Sequence, residues 1–215
     1  MFVGERMSHP VITIHPEMPI VDALNLMKRQ HIRRAPVVKD GELVGIVSDK
    51  DLLNASPSPA ESISVWEMSN LLSKIQIKDV MTTRILTVTE DTPIEVAARL
   101  MVDNKIGGLP VMRGREIVGM ITETDLFKMF LELMGARDTG VMVTALIQEE
   151  RGQLARITQA ITEAGGNFIS FGQFSGDSPS NRVITFKVNL LNEEVVTQAI
   201  SPWVNKLIDV RICCE

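Results

Sequence analysis

The sequence predicts an α+β protein in which one strand-and-helix unit is used twice and is followed by a separate βαββαβ layer. Three observations carry that prediction. The first is an internal repeat without a gap. Gly119 stands 74 positions after Gly45, and the same offset lays Met81 on Met7, Thr87 on Thr13, Pro93-Ile94 on Pro19-Ile20, Ala97 on Ala23, Leu100-Met101 on Leu26-Met27, Ile106 on Ile32 and Pro110-Val111 on Pro36-Val37. A repeat of about 50 residues marks one supersecondary unit used twice, each copy completing the other's core. The second is that apolar residues recur at helical or strand spacing inside each copy. The third is a change of pattern after Gly135, where Ala136-Arg137-Asp138-Thr139-Gly140 forms a boundary.

In the first copy, Pro10-Val11-Ile12-Thr13-Ile14 reads as a short strand. Pro19 then opens a helix, because its fixed φ suits the first turn, and Ile20, Ala23, Leu24 and Met27 share a face. Lys28, Arg29, His31, Arg33 and Arg34 place positive charge at the end of that helix, where its dipole favours it. Strand Ala35 to Val38 turns at Asp40-Gly41 into an antiparallel partner, Leu43 to Ser48. A short helix from Ser48 stops at Ala55-Ser56-Pro57-Ser58-Pro59, and Ser64 to Ile75 reads as a linking helix. The second copy predicts strand Ile85 to Val88, helix Ile94 to Asn104, strands Leu109 to Met112 and Ile117 to Thr122, and a helix from Asp125 to about Met134 that Gly135 stops. The domains therefore run 1–54, 79–135 and 140–215, with a connector and its helix over 55–78.

The tail predicts strand Val141 to Ile147, a turn at Glu149-Glu150-Arg151-Gly152, and a helix from Gln153 to Ala164 with Leu154, Ile157 and Ile161 on one face. Gly165-Gly166-Asn167 leads into strand Phe168 to Phe174, and strand Arg182 to Leu190 follows a polar loop. Asn192 caps a helix from Glu193 to Val204, and Leu207 to Cys213 is the last strand. This order is a ferredoxin-like layout, an antiparallel sheet with two helices on one face.

Composition narrows the function. With 45% hydrophobic residues in a chain of 215, a packed core is available. No apolar run approaches the roughly 20 residues that span a bilayer, and the N-terminus lacks the regions of a signal peptide, so a cytoplasmic protein is expected. Adjacent Cys213 and Cys214 point to opposite faces of a strand and do not pair. A net charge of −5, with 4% aromatic residues and no tyrosine, argues against nucleic acid as the main partner, single strands included. His9, His15 and His31 show no metal-binding spacing, and methionines at helical spacing are core fillers, so no metal is assigned. There is no G-x-S-x-G elbow and no P-loop, and Glu149-Glu150 sits in a polar turn, so no enzyme activity or catalytic cofactor is expected.

The chemistry lies in Gly45-Ile46-Val47-Ser48-Asp49-Lys50-Asp51 and its copy Gly119-Met120-Ile121-Thr122-Glu123-Thr124-Asp125. Each is a strand running into a helix start, where backbone N–H groups join a hydroxyl and a carboxylate suited to sugar and phosphate. A hydroxyl followed three residues later by an acid is also a capping box. Two copies in one register point beyond a cap. An ionised carboxylate has acceptors on two oxygens and can take both hydrogens of a ribose cis-diol. Arg33 and Arg34 are placed to clamp a phosphate, whereas Gly107-Gly108 stand at the corresponding positions of the second copy. Phosphate recognition should therefore be lopsided, with one site empty or borrowing its contacts from the other copy.

From Met7 to about Met134 the chain resembles a tandem of cystathionine-β-synthase (CBS) domains, the Bateman pair. Both copies carry P-I-x-x-A-x-x-L-M, then I-x-x-x-P-V, then G-h-h-[ST]-x-x-D with h apolar. The resemblance implies an adenine nucleotide or related adenosyl ligand (AMP, ADP, ATP) in clefts between the copies. It places Ser48 or Thr122 and Asp51 or Asp125 on ribose and phosphate. Groups around Ile32 to Val37, including Pro36, and around Ile106 to Val111, including Pro110, flank the base. Thr13 and Thr87 complete the candidate set.

The tail resembles an ACT domain, through Glu150-Arg151-Gly152 with Leu154 following and Gly165-Gly166-Asn167 at the second strand. The usual Asp-Arg-Pro-Gly turn lacks its proline here. The resemblance implies Gly152, Leu154 and Asn167 as effector candidates for an amino acid or small metabolite, beside the plainer roles of turn and helix cap. Tandem CBS domains followed by an ACT domain are similar to the acetoin-utilisation (AcuB-type) regulatory family. Together the residues imply a non-catalytic sensor, expected as a homodimer, that passes its state to an unknown target protein. The alternative is a structural dimerisation module that binds no ligand.

Overall fold

A computed structural model describes residues 1–55 and 74–213. The chain forms two compact units, Met1–Leu126 and Phe127–Glu215. The expected linking helix falls almost wholly outside the described residues, as does Cys214. Among the described residues no helix is long and apolar enough to cross a membrane.

The first unit contains both copies up to Leu126, four residues into the helix that closes the second. In the first, α1 (Ile20–Arg29) starts at Pro19 and buries Ile20, Ala23 and Met27. Strands β1 (Arg34–Lys39) and β2 (Glu42–Ser48) form an antiparallel hairpin. Its two-residue turn, Asp40-Gly41, has φ of 52° and 83°, the left-handed pair that matches the twist of the flanking strands. Helix α2 (Asp49–Asn54) follows at once. After the undescribed stretch come α3 (Ile77–Val80), β3 (Val88–Thr89), α4 (Ile94–Asn104), β4 (Gly108–Arg113), β5 (Glu116–Thr122) and α5 (Glu123–Leu133).

The duplication holds to fine detail. The β1–β2 register shifts between Val37 and Val38, and the β4–β5 register shifts between Val111 and Met112, 74 residues later. The copies also exchange their leading segments. Ser8 bridges Met120 of the second hairpin and Thr82 bridges Ile46 of the first. Val3 is fully buried in the second copy's core beside Val88 and Ala97, and Ile77, its counterpart, is fully buried in the first copy's core beside Ile20 and Leu52. Gly45 and Gly119 allow this, since a Cβ on either would run into Met81 or Met7 of the segment crossing it. Each core is thus completed by the other copy's lead-in.

That exchange corrects two expected strands. Among the described residues only Ile14 of residues 10 to 14 pairs, bridging Val37, with Pro10 lacking a ladder donor. The strand expected over Ile85 to Val88 begins only at Val88, which runs parallel to β4. The residues before it are diverted, because Thr82 is tied to Ile46 by N–H to O bonds in both directions, 2.9 and 3.0 Å.

In the second unit, β6 (Gly140–Gln148), α6 (Gln153–Glu163), β7 (Asn167–Ser175), β8 (Asn181–Asn189), α7 (Glu193–Ile200) and β9 (Lys206–Cys213) follow one another. The antiparallel sheet has the order β7-β8-β6-β9. Alternate residues of β6 (Val141, Val143, Ala145, Ile147) and of β8 (Ile184, Phe186, Val188) pack with Ile157 and Ile161 of α6 and Val196 and Ile200 of α7, so both helices cover one face. Helix α7 ends four residues before the expected Val204. Pro202 cannot continue an α-helix, and Ser201–Trp203 tightens into a 3-10 turn. On the opposite face Lys187, only 1% exposed, donates from Nζ to the carbonyls of Gly135 (2.7 Å) and Asp138 (2.9 Å), tying the turn after α5 to β8.

Candidate functional site

In the first unit a cleft of about 470 Å³ opens between the two copies. The first copy supplies Ile46, Val47, Ser48 and Asp51 at the β2–α2 junction, with Arg34 from the start of β1. The second supplies Thr82, Arg84, Ile85 and Leu86 ahead of β3, and Asn104 to Gly108 between α4 and β4. Each copy brings apolar side chains (Ile46 and Val47; Ile85, Leu86 and Ile106) together with hydroxyl, carboxylate or cationic groups, a combination suited to a flat base joined to a polar sugar.

Asp51 is both cap and candidate ligand. Its Oδ2 accepts the Ser48 N–H (2.8 Å) and the Ser48 Oγ–H (2.7 Å), while the Asp51 N–H reaches Ser48 Oγ at 3.3 Å. The capping box therefore uses the N–H groups expected to be free, which corrects that expectation. A carboxylate has about four acceptor positions, and Oδ2 has filled two. Oδ1 accepts no hydrogen bond among the described residues. Both remaining acceptor positions lie on that one oxygen, so a diol would be gripped by Oδ1 and not by one oxygen per hydroxyl.

The positions related by the repeat are different. Asp125 Oδ2 accepts from the Thr122 N–H (2.9 Å) and Oγ–H (2.6 Å), and Oδ1 accepts from Ser8 Oγ at 3.3 Å. Asp125 is 7% exposed. Arg33 donates to Thr124 Oγ1 at 2.9 Å, crossing from one copy to the other. The second signature is occupied by its own protein.

Arg34 crosses as well. A Cβ on Gly107 would collide with its guanidinium, and one on Gly108 would sit 3.6 Å from its Cδ. The Gly107-Gly108 pair is thus the bed on which Arg34 lies. Its Nη2 is 3.9 Å from Glu123 Oε2, a loose ion pair. Among the described residues that line this cleft, Arg34, Arg84 and Lys105 set three cations against one carboxylate. Lys105 caps α4 with φ of 54°, and His31, 74 residues earlier, has φ of 53°.

Of the sequence candidates, Ser48, Asp51, Arg34 and Ile106 line the cleft. Thr122, Asp125 and Arg33 gather at the equivalent second position. Ile32 packs on the first core. Pro36, Val37, Pro110 and Val111 are buried in β1 and β4, while Thr13 and Thr87 are exposed, and none of these six lines the cleft. In the second unit Gly152 precedes α6 with φ of 81°, Leu154 packs on the core, and Asn167 opens β7 opposite Asn189. Sequence reasoning missed Thr82, Arg84, Leu86, Asn104 and Lys105, because the offset relates equivalent residues and not the ones that face each other. Among the described residues no cluster of three or more His, Cys, Asp or Glu is placed to hold a metal.

A CBS-domain family model matches residues 3–58 and 77–132, just over half of the chain, once on each copy. The chain belongs to the CBS-domain family. Three solved CBS structures similar to it cover the pair. CBSX2 in complex with AMP shares 31% identity at a TM-score of 0.51, over 61% of this chain and 97% of that one. The CBS domain pair of protein MJ0100, in complex with 5′-methylthioadenosine and S-adenosyl-L-methionine, shares 29% identity at 0.51, over 60% and 95%. A Vibrio cholerae protein assigned to acetoin utilization (AcuB) shares 30% identity at 0.52, over 63% and 93%. CBS pairs similar to this one thus hold adenosine ligands.

Proposed function

We propose that this CBS pair is a regulatory sensor that binds an adenine nucleotide in the first cleft. Asp51 Oδ1 and Ser48 hold the ribose, and Ile46, Ile85, Leu86 and Ile106 receive the base. The observation that carries this reading is the half-spent carboxylate of Asp51 beside apolar and cationic side chains. The adenosine ligands of CBSX2 and MJ0100 support it. A nucleotide touching both copies favours their ligand-bound arrangement by its differential affinity for it, and α5, which starts at the second signature and runs on past Leu126, carries the change onward. Of the wider candidate set, Thr122, Asp125 and Arg33 lie at the second signature, and Pro36, Val37, Pro110, Val111, Thr13 and Thr87 do not line the first cleft, so this reading assigns none of them a ligand contact.

The second unit we read as a ferredoxin-like ACT-type module, supported by its βαββαβ order and its β7-β8-β6-β9 sheet. Gly152, Leu154 and Asn167 are its effector candidates, and edge strands β7 and β9 suit pairing in a homodimer. The chain then acts on a target protein in the cytoplasm, without a catalytic role of its own. Thermal unfolding with adenosine compounds tests the sensor reading. A ligand at 100 times its Kd adds about 2.7 kcal/mol of stability. No shift with AMP, ADP, ATP or S-adenosylmethionine leaves the pair a structural module.

A further inference from the structure

Four residue differences, spread over three contacts, make the two clefts unlike. Ser8 bonds Asp125, but its counterpart Thr82 makes no side-chain bond to Asp51. Arg33 bonds Thr124, whereas their counterparts are Gly107 and Lys50, which cannot pair in that way. Arg34 lies in the space that a side chain at Gly107 would fill, so a cation of the first copy is delivered to a cleft half built by the second. At the first cleft, among the described residues, no side chain of the other copy bonds the Asp51 carboxylate, and three cations line the space. At the second, both oxygens of the carboxylate already accept hydrogen bonds and the side chain is buried.

We propose that the chain takes one nucleotide, in the first cleft alone, and that Arg34 selects ligands bearing phosphate over neutral or cationic 5′-substituted adenosines. This rests on the nucleotide reading above and deepens it. Among the described residues Arg34 is held only by Glu123, at 3.9 Å and with the Glu123 side chain 53% exposed, a pairing that a phosphate displaces because it accepts two parallel charged bonds from one guanidinium. Glu123 opens α5, so the same displacement releases the first residue of the helix that follows the second signature. Phosphate entry and the state of α5 thereby share one guanidinium.

Isothermal titration of the full chain at fixed salt, with ADP, adenosine and S-adenosylmethionine as probes, tests this. One ADP per chain is expected, with adenosine and S-adenosylmethionine weaker by about ten- to a hundredfold. Arg34→Gln should close most of the gap between ADP and adenosine, with Arg84 and Lys105 keeping the rest, and leave adenosine unchanged. Glu123→Gln, which frees Arg34 without removing it, should hold ADP affinity or raise it by up to about fivefold. A merely structural Arg34–Glu123 pair would weaken every ligand in both variants. Two ADP per chain, equal ADP and adenosine affinities, or an Arg34→Gln variant that weakens both alike would overturn the proposal. If none of the three ligands binds, the nucleotide reading falls first.

Discussion

Replacing Asp51 by asparagine separates the two jobs of one side chain. Asparagine keeps one carbonyl oxygen, which can take the place of Oδ2 and accept from Ser48 N–H and Oγ–H, so the helix cap survives. Its loss of charge should cost under about 1 kcal/mol of stability. The amide nitrogen then occupies the position of Oδ1 and offers donors where ribose hydroxyls need acceptors. Losing hydrogen bonds to a charged acceptor costs about 1.5–3 kcal/mol, a fall of roughly ten- to a hundredfold in ADP affinity. Asp125→Asn should behave in the opposite way. Its carboxylate already serves Thr122 and Ser8 and is 7% exposed, so the change should cost about 1–3 kcal/mol of stability and leave ADP affinity unaltered. Titration calorimetry with ADP, paired with urea unfolding of both variants, reads the two quantities. The reasoning is refuted if Asp51→Asn binds ADP like the wild type, or if Asp125→Asn weakens binding as much as Asp51→Asn does.

Other predictions follow from packing and charge. Ile77→Ala should cost about 2–5 kcal/mol, and hydrogen exchange should speed up in α1, β1 and β2, the copy whose core Ile77 completes, before it does in its own copy. Lys187→Met should leave the carbonyls of Gly135 and Asp138 short of a donor, lowering the stability of the second unit by about 2–4 kcal/mol in urea unfolding followed by circular dichroism. The Arg113 guanidinium, bonded to Glu90 at 2.7 and 2.8 Å, holds that carboxyl below its usual range. The pair's contribution is therefore present above the unfolded glutamate value of roughly 4.3 and is lost as pH falls through the lower folded value. In Arg113→Gln the Glu90 carboxyl, followed by NMR, should titrate higher.

Much of this protein was legible in its sequence because duplication makes every observation twice. Pro19 and Pro93, Gly45 and Gly119, and the aspartates that close each signature announced both hairpins and the helices around them. What the offset could not reveal is who faces whom. It equates Ser8 with Thr82, yet Ser8 meets the second hairpin and Thr82 the first. For that reason Arg84 and Lys105 escaped notice, although Arg34 and Asp51 across the cleft did not. The β-branched run Val11-Ile12-Thr13-Ile14 looked like a strand, but strand propensity needs a partner along its length, and only Ile14 has one. The Gly107-Gly108 pair read as a missing charge. In three dimensions it is the absence of side chains that admits a charge from the other copy.

A crystal structure of the full chain grown with ADP tests the account most directly. It should show a single nucleotide per chain, its ribose hydroxyls within hydrogen-bond reach of Asp51 Oδ1 and its phosphates against Arg34, with Ser8 still bonded to Asp125. A nucleotide seated instead at Thr122 and Asp125, or ribose turned away from Asp51, would contradict it.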